Sequence, residues 1–433
     1  MRDHTTGRRV LALALPALPV LAAEPLYLLV DTAVVGHLGA VQLGALGIGA
    51  IVLAQLSTQL TFLSYGTTAR TARLHGAGRR AEAVAEGVQA TWLALALGVL
   101  LLGAGQLLAA PVARALAGEG ALADAAVSWL RIALFGVPMI LVSLAGNGWM
   151  RGVQDTRTPL RLVLTGNAVS AALCPALVYA AGWGLEGSAA ANVAGQVLGG
   201  GLFLRALRRE RVPLRPRFPV MRAQLVLGRD LLVRSLAFQA CFVSAAAVAA
   251  RTSVGAVGAH QVVLQLWTFL SLVLDSLAIA AQALVGAALG AGDAGRAREL
   301  ARRLAGYGLA FGIGLGIVFG LLAGVLPRAF TGDPAVLAEI PHAWWFFVAL
   351  QPVAGVVFAL DGVLLGAGDA AFLRTATLLS AVVGFLPLVW LSFALGWGLA
   401  GIWTGLSAFM LVRLVTILLR TRSGRWAVVG VVR

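Results

Sequence analysis

Charge is scarce in this chain, and that scarcity fixes its class. Only 12% of the 433 residues are charged while 60% are hydrophobic, against about 25% charged in a soluble domain. Cysteine is nearly absent too. Cys174 and Cys241 lie in separate apolar runs without CxxC spacing, which excludes a disulfide framework or a thiolate metal site. The chain lacks a GxxxxGK[ST] nucleotide loop, a metal-ligand cluster and a hydrolase triad in a recognisable context. An enzyme is therefore not expected, no cofactor is expected, and any energy for work must come from an ion gradient. The net charge of +15 would suit nucleic acid, but the arginines fall between apolar runs instead of on a polar face, so nucleic acid is not an expected partner.

Apolar runs are what the chain has in quantity. A spanning helix takes about 20 residues, and Gly, Pro or charge separates runs at 10–36, 45–69, 88–110, 124–149, 159–181, 187–207, 226–250, 258–289, 303–325, 339–366, 372–394 and 398–419. The fold expected is an all-α polytopic membrane protein with twelve transmembrane helices in the lipid bilayer. Arg8 and Arg9 before an apolar run, with Ala22-Ala23 as a cleavage-like site, could read as a signal peptide. The run resumes after Glu24, which fits a retained first helix. Alternate connections hold most of the arginines, among them Arg70, Arg73, Arg79, Arg80, Arg151, Arg157 and Arg161, then Arg205 through Arg229, and the tail Arg420, Arg422 and Arg425. By the positive-inside rule both termini are cytoplasmic.

The chain also repeats. A shift of 214 residues places Pro138 on Pro352, Asn147 on Asp361, Asp155 on Asp369, Trp183-Gly184-Leu185 on Trp397-Gly398-Leu399, and Gly76 and Gly78 on Gly290 and Gly292. Each copy holds six helices, and an even number preserves topology, so the copies are parallel repeats. The expected organisation is an N-lobe over 1–210, a Pro- and Arg-rich linker over 211–225, and a C-lobe over 226–433. Two such lobes enclose a cleft, and rocking them gives alternating access.

The first predicted helix stands apart because it carries Glu24, Asp31, Pro16, Pro19 and Pro25. Carboxylates are costly in hydrocarbon, and prolines free backbone acceptors, so the helix should face a protein-lined cavity. Asp31 lies one turn beyond Tyr27 on the same face. Its repeat partner is Ala245, so the acid belongs to one half only. In a partly desolvated cavity it can exchange a proton or hold a sodium ion; the plainer alternative is an aspartate solvated at the membrane surface. Glu24, seven residues earlier, is a second protonatable candidate or a contact for a cation, and equally well a carboxylate paired with a neighbouring helix. Pro16, Pro19 and Pro25 are candidates for bending the helix, with packing kinks as the alternative.

Other polar residues are candidates for the cavity. Gln55, Ser57, Thr58, Gln59, Thr61 and Ser64 give the second helix a polar centre that fits a cavity face or interhelical hydrogen bonding. Asn167 and Ser170 on the fifth helix and Asn192 and Gln196 on the sixth are further candidates, and Asn147 fits a cap. Asp275 sits at the middle of the eighth helix with Thr61 as its repeat partner, and rivals Asp31 unless it pairs with Arg234 or Arg413. His260 fits a hydrogen-bonding residue near the start of that helix. Asp155 and Asp369 fit turn or helix-start roles.

Taken together, PLYLLVDTAVVGHLG, RGVQDTRTP, VGAHQVVLQLWTF leading into LDSLAIAAQALVGAALGAGD, and LDGVLLGAGD resemble the multidrug and toxic compound extrusion family, specifically the branch named after a DNA-damage-inducible protein of bacteria. The resemblance implies two pseudo-symmetric lobes and antiport: small cationic or amphipathic organic compounds leave while protons or sodium ions enter. It also implies a bacterial inner membrane and a monomer. Asp31 matches the family's first-helix aspartate, the Pro16/Pro19 region the part that bends in some members, and Asn167 an asparagine of the fifth helix. The acid that often follows one turn later is Ala171 here, which leaves Glu24 as a candidate substitute. The seventh helix lacks the glutamate of the eukaryotic members. The competing readings are a flippase for a lipid-linked precursor, which arginines such as Arg131, Arg234 and Arg413 in the cleft would favour, and a non-transporting membrane scaffold.

Overall fold

The computed structural model describes residues 2–431, with side chains from Gly7 onward. Met1, Val432 and Arg433, which end the two expected lobes and the termini assigned to the cytoplasm, lie outside the described residues. Regular structure among the described residues is helical throughout. The first half holds α1 (Arg2–Gly36), α2 (Ala40–Gln59), α3 (Phe62–Gly76), α4 (Arg80–Ala117), α5 (Ala121–Ala133), α6 (Val137–Gly152), α7 (Arg157–Pro175) and α8 (Gly184–Arg209). The second holds α9 (Phe218–Ala250), α10 (Val254–Gly290), α11 (Ala294–Leu321), two short helices α12 (Leu326–Phe330) and α13 (Pro334–Glu339), α14 (Pro341–Gly366), α15 (Ala370–Leu379), α16 (Leu386–Ala394) and α17 (Gly398–Ser423).

Eleven segments among the described residues are long and apolar enough to cross a membrane, with α2–α3, α5–α6 and α15–α16 each counting as one. The twelfth is α8, whose 26 residues are diluted in hydropathy by six glycines, Asn192 and Gln196. This is the expected twelve-helix polytopic architecture. Four of the spans are interrupted, the fourth by a 3-10 turn at Leu134–Gly136 between α5 and α6. The second breaks at Leu60–Thr61, directly after the polar run Ser57-Thr58-Gln59, where the Thr61 hydroxyl donates to the Thr58 carbonyl at 2.7 Å. The fifth ends in a π-helical turn, Ala176–Ala180, and the eleventh contains another, Ser380–Phe385. α1, by contrast, runs unbroken through Pro16, Pro19 and Pro25.

The chain forms two compact units, Leu15–Gly228 and Arg229–Arg433, the latter with the start of the chain to Ala14. The expected linker 211–225 is shorter than its composition suggested, since only 211–217 is without helix. Pro219, read as a linker residue, lies in the first turn of α9, where a missing N–H costs nothing. The remaining strap is tied to α4. Gln89 Nε2 donates to the Arg215 carbonyl at 3.0 Å, Arg217 N donates to Gln89 Oε1 at 2.5 Å, and the Trp92 indole donates to the Leu214 carbonyl at 2.7 Å.

The 214-residue repeat is a repeat of close contacts. A methyl group on Gly98 would lie 2.5 Å from Pro138 Cα, and on the equivalent Gly312 it would lie 2.8 Å from Pro352 Cα. On Gly148 it would meet the Ser64 carbonyl at 2.6 Å, and on Gly362 it would meet Cα of Ala278, the residue equivalent to Ser64, at 2.7 Å. These are helix backbones in direct apposition, which small residues permit. The turns repeat as well. Gly182 and Gly184, either side of Trp183, have φ of 72° and 55°; Gly396 and Gly398, either side of Trp397, have 69° and 60°. Asp155 Oδ1 accepts from Thr158 N at 2.9 Å as a helix-start residue should, whereas Asp369 turns to Arg420 Nε at 2.8 Å.

Candidate functional site

Asp31 is buried in the first unit, 1% exposed, so the alternative of a solvated surface aspartate does not hold. Its two carboxylate oxygens differ. Oδ1 accepts from the Ser188 hydroxyl at 2.6 Å and from the Cys174 thiol at 3.2 Å. Oδ2 is buried without a hydrogen bond of normal geometry, and so are the Tyr27 hydroxyl and Asn192 Oδ1. Tyr27 lies beside Asp31, Ser170 and Asn192. The Ser170 hydroxyl donates to the Ala191 carbonyl at 2.9 Å, joining α7 to α8. Among the described residues no cation forms an ion pair with Asp31, and a buried anion left so is costly. Taking up a proton or a small cation at Oδ2 removes that cost.

Each of these side chains is fixed by packing. α5 grips the start of α8 twice: the Ser128 hydroxyl donates to Glu186 Oε1 at 2.6 Å, and the buried Trp129 indole donates to the Ser188 hydroxyl at 3.2 Å. A directed chain of donors thus runs Trp129, Ser188, Asp31. Cys174, Val178 and Ala191 form a small core against Val34 and Leu38, which fixes the end of α1 that carries Asp31. Gly187 lets α8 lie on the π-helical turn after α7, since a methyl group there would sit 2.8 Å from the Leu177 carbonyl carbon. Backbone cannot yield as a side chain does. Gly187→Val should therefore cost about 1–3 kcal/mol by overpacking and shift Ser188 away from Asp31; a thermal midpoint equal to wild type would contradict this.

The other expected residues are distributed as follows. Glu24 is exposed on α1, unlike Asp31, so the two do not share one packed face. Asn167 is half-buried and gives its amide to the Val163 carbonyl of its own helix at 3.0 Å. Gln55 is exposed on α2, while Gln59 Oε1 and the Ser64 hydroxyl are buried without partners. Gln196 packs against Gly136. Asn147, read as a cap, is instead buried inside α6 and donates to the Ser143 carbonyl at 3.1 Å. His260 is buried at 3% exposure against Trp403, with no partner on either ring nitrogen. Asp275 belongs to the second unit and is half-buried on α10. Sequence reasoning missed Ser188 and Trp129 and saw Cys174 only as an unpaired thiol. A usable signal existed: the repeat partners of Ser188 and Cys174 are Ile402 and Leu388, so both are polar in one half only, as Asp31 is.

The second unit has its own charged centre. Asp361 Oδ2 accepts from Arg234 Nη2 at 2.6 Å and also from Arg413 Nη2. The two arginines considered as partners for Asp275 therefore meet on Asp361, the repeat partner of Asn147. No group of three or more His, Cys, Asp or Glu residues able to hold a metal occurs among the described residues. A sodium ion at Asp31 would draw on the oxygens of Asp31 and of the side chains around it, among them Ser188, Tyr27, Ser170 and Asn192.

Comparison with known proteins agrees with the repeat and the fold. The MatE family pattern matches residues 16–176 and again 231–391. The chain is 34% identical over 438 residues to Protein DETOXIFICATION 44, chloroplastic, of Arabidopsis thaliana, covering 97% of this chain and 83% of that one. It is 31% identical over 442 residues to the DNA damage-inducible protein F of Escherichia coli, covering 96% and 92%. The bacterial branch expected from the motifs is thus one of several at similar distance. A solved MATE structure in the bent conformation superposes with a TM-score of 0.90 at 19% identity, covering 97% of this chain and 96% of that one. On these matches and its duplicated six-helix unit, the chain belongs to the MatE family.

Proposed function

We propose that this protein exports cationic or amphipathic organic compounds in exchange for protons or sodium ions, by alternating access, with Asp31 as the coupling carboxylate. As a MatE family member it is a membrane-embedded secondary transporter and not an enzyme. The observation that carries the finer reading is the buried Asp31 with one oxygen saturated by Ser188 and Cys174 and the other without a hydrogen bond of normal geometry beside Tyr27 and Asn192. Such a group gains most from binding one positive charge, and whatever it binds, proton or sodium, is exchanged as one unit. Support for the substrate class comes from a relative 24% identical over 443 residues, the probable multidrug resistance protein NorM of Thermotoga maritima. Glu24, exposed on the same helix, is proposed as a contact for cations, and Tyr27, Gln59, Ser64 and Asn192 as polar cavity residues. The proposed setting is the inner membrane of a bacterium, as a monomer with cytoplasmic termini.

Reconstituted protein should move a fluorescent organic cation when a pH gradient or a sodium gradient is imposed on the liposomes. Response to one gradient and not the other identifies the ion. Response to neither would refute ion-coupled antiport.

A further inference from the structure

We propose that Arg234 and Arg413 form a binding site for the anionic group of an amphipathic organic anion, and that Asp361 is the resident counter-ion this group displaces from Arg234. The site lies wholly within the second unit, on α9, α14 and α17. Two guanidinium groups share one carboxylate there, so the centre holds one more positive than negative charge. Inside membrane-spanning helices such an excess is costly unless an anion completes it.

The hydrogen bonding is incomplete in the way a binding site would be. Both arginines use a single Nη2 on the same Asp361 oxygen, while Asp361 Oδ1 and the Nε of each arginine are buried without partners. Elsewhere the chain closes such pairs: Arg70 forks onto Glu86 at 2.8 and 2.7 Å. A guanidinium with Nε unused retains the edge that binds a carboxylate or phosphate through two parallel bonds.

Accessibility separates the two arginines. The Arg413 side chain is 4% exposed and the Arg234 side chain 16%, so Arg234 is the arm a ligand reaches. Both guanidiniums lie over Phe238, at 5.7 Å for Arg234 and 4.7 Å for Arg413. Phe238 is half-buried and meets Phe409 edge to face at 5.4 Å. Phe238 remains partly exposed, so the apolar body of a ligand held at Arg234 would pack against the open part of its ring beside the guanidiniums, which makes an amphipathic anion the class that fits. The nearby acids Asp230 and Asp369 are engaged by Arg374 and Arg420.

The test uses full-length protein in detergent and equilibrium binding of 1-naphthoate, with uncharged 1-naphthamide as control. No gradient is imposed, so the result does not depend on the transport reading. Naphthoate should bind saturably and raise the thermal midpoint while naphthamide does neither. Arg234→Gln should weaken naphthoate about tenfold, the scale of one charge-assisted fork. Asp361→Asn, which removes the competitor, should strengthen it. Effects of opposite sign are what a purely structural ion cluster would not produce. Equal binding of the acid and the amide, or loss of affinity in both variants, would overturn the proposal. If Asp361→Asn does not fold, the naphthoate-dependent midpoint shift in wild type and its absence in Arg234→Gln decide the matter.

Discussion

Asp31→Asn should reduce the gradient-driven movement of an organic cation to the level of empty liposomes while leaving the fold in place. Asparagine keeps an oxygen where Oδ1 is, so the Ser188 and Cys174 donors retain their acceptor. It loses the only property the coupling role requires, which is a net charge that one proton or sodium ion can cancel. Removing an unpaired buried charge also removes a desolvation cost, so thermal stability should not fall. Ser188→Ala is the informative contrast. It deletes one donor and breaks the link from Trp129, but leaves the carboxylate able to exchange its ion. Coupling should therefore persist in Ser188→Ala, with a shifted dependence on pH or sodium. Unaltered transport by Asp31→Asn would remove Asp31 from the mechanism and bring Asp275 forward.

How much of this was legible before the structure follows from what each feature depends on. Membrane class and helix number rest on apolar runs of bilayer length, which composition alone reports. The duplication was legible because glycine and proline mark backbone apposition: Gly98 against Pro138 and Gly312 against Pro352 are the same contact made twice. Asp31 was legible as an acid in an apolar helix. Its partners were not, because Ser188 and Cys174 lie more than a hundred residues away and neither residue type is unusual in a membrane helix. The Asp361 centre was hidden for a related reason. Asp361 follows an apolar run near the end of α14, where a turn aspartate would also stand, and only tertiary packing brings Arg234 and Arg413 to it. The α9 boundary was misplaced because proline signals both a linker and a helix start.

Asp361→Ala should be the most destabilising single change in the second unit, at about 3–5 kcal/mol, the cost of leaving buried charge uncompensated. Asp361 is 5% exposed and Arg413 is 3% exposed, so neither guanidinium can turn fully to water once the carboxylate is gone. The sign of the remaining charge makes the two ends of the cluster unequal. Arg413→Met removes the surplus cation and leaves Arg234 paired with Asp361 as a neutral couple, at the loss of one cation–π contact with Phe238, worth about 0.5–2 kcal/mol. Arg413→Met should therefore cost much less than Asp361→Ala. In the double variant only the more accessible Arg234 is left unpaired, so the second substitution should recover a large part of what the first lost. Thermal unfolding of the three purified variants measures this cycle directly. If Arg413→Met proved as damaging as Asp361→Ala, the cluster would be held by geometry and not by charge balance, and the surplus positive charge would lose its meaning.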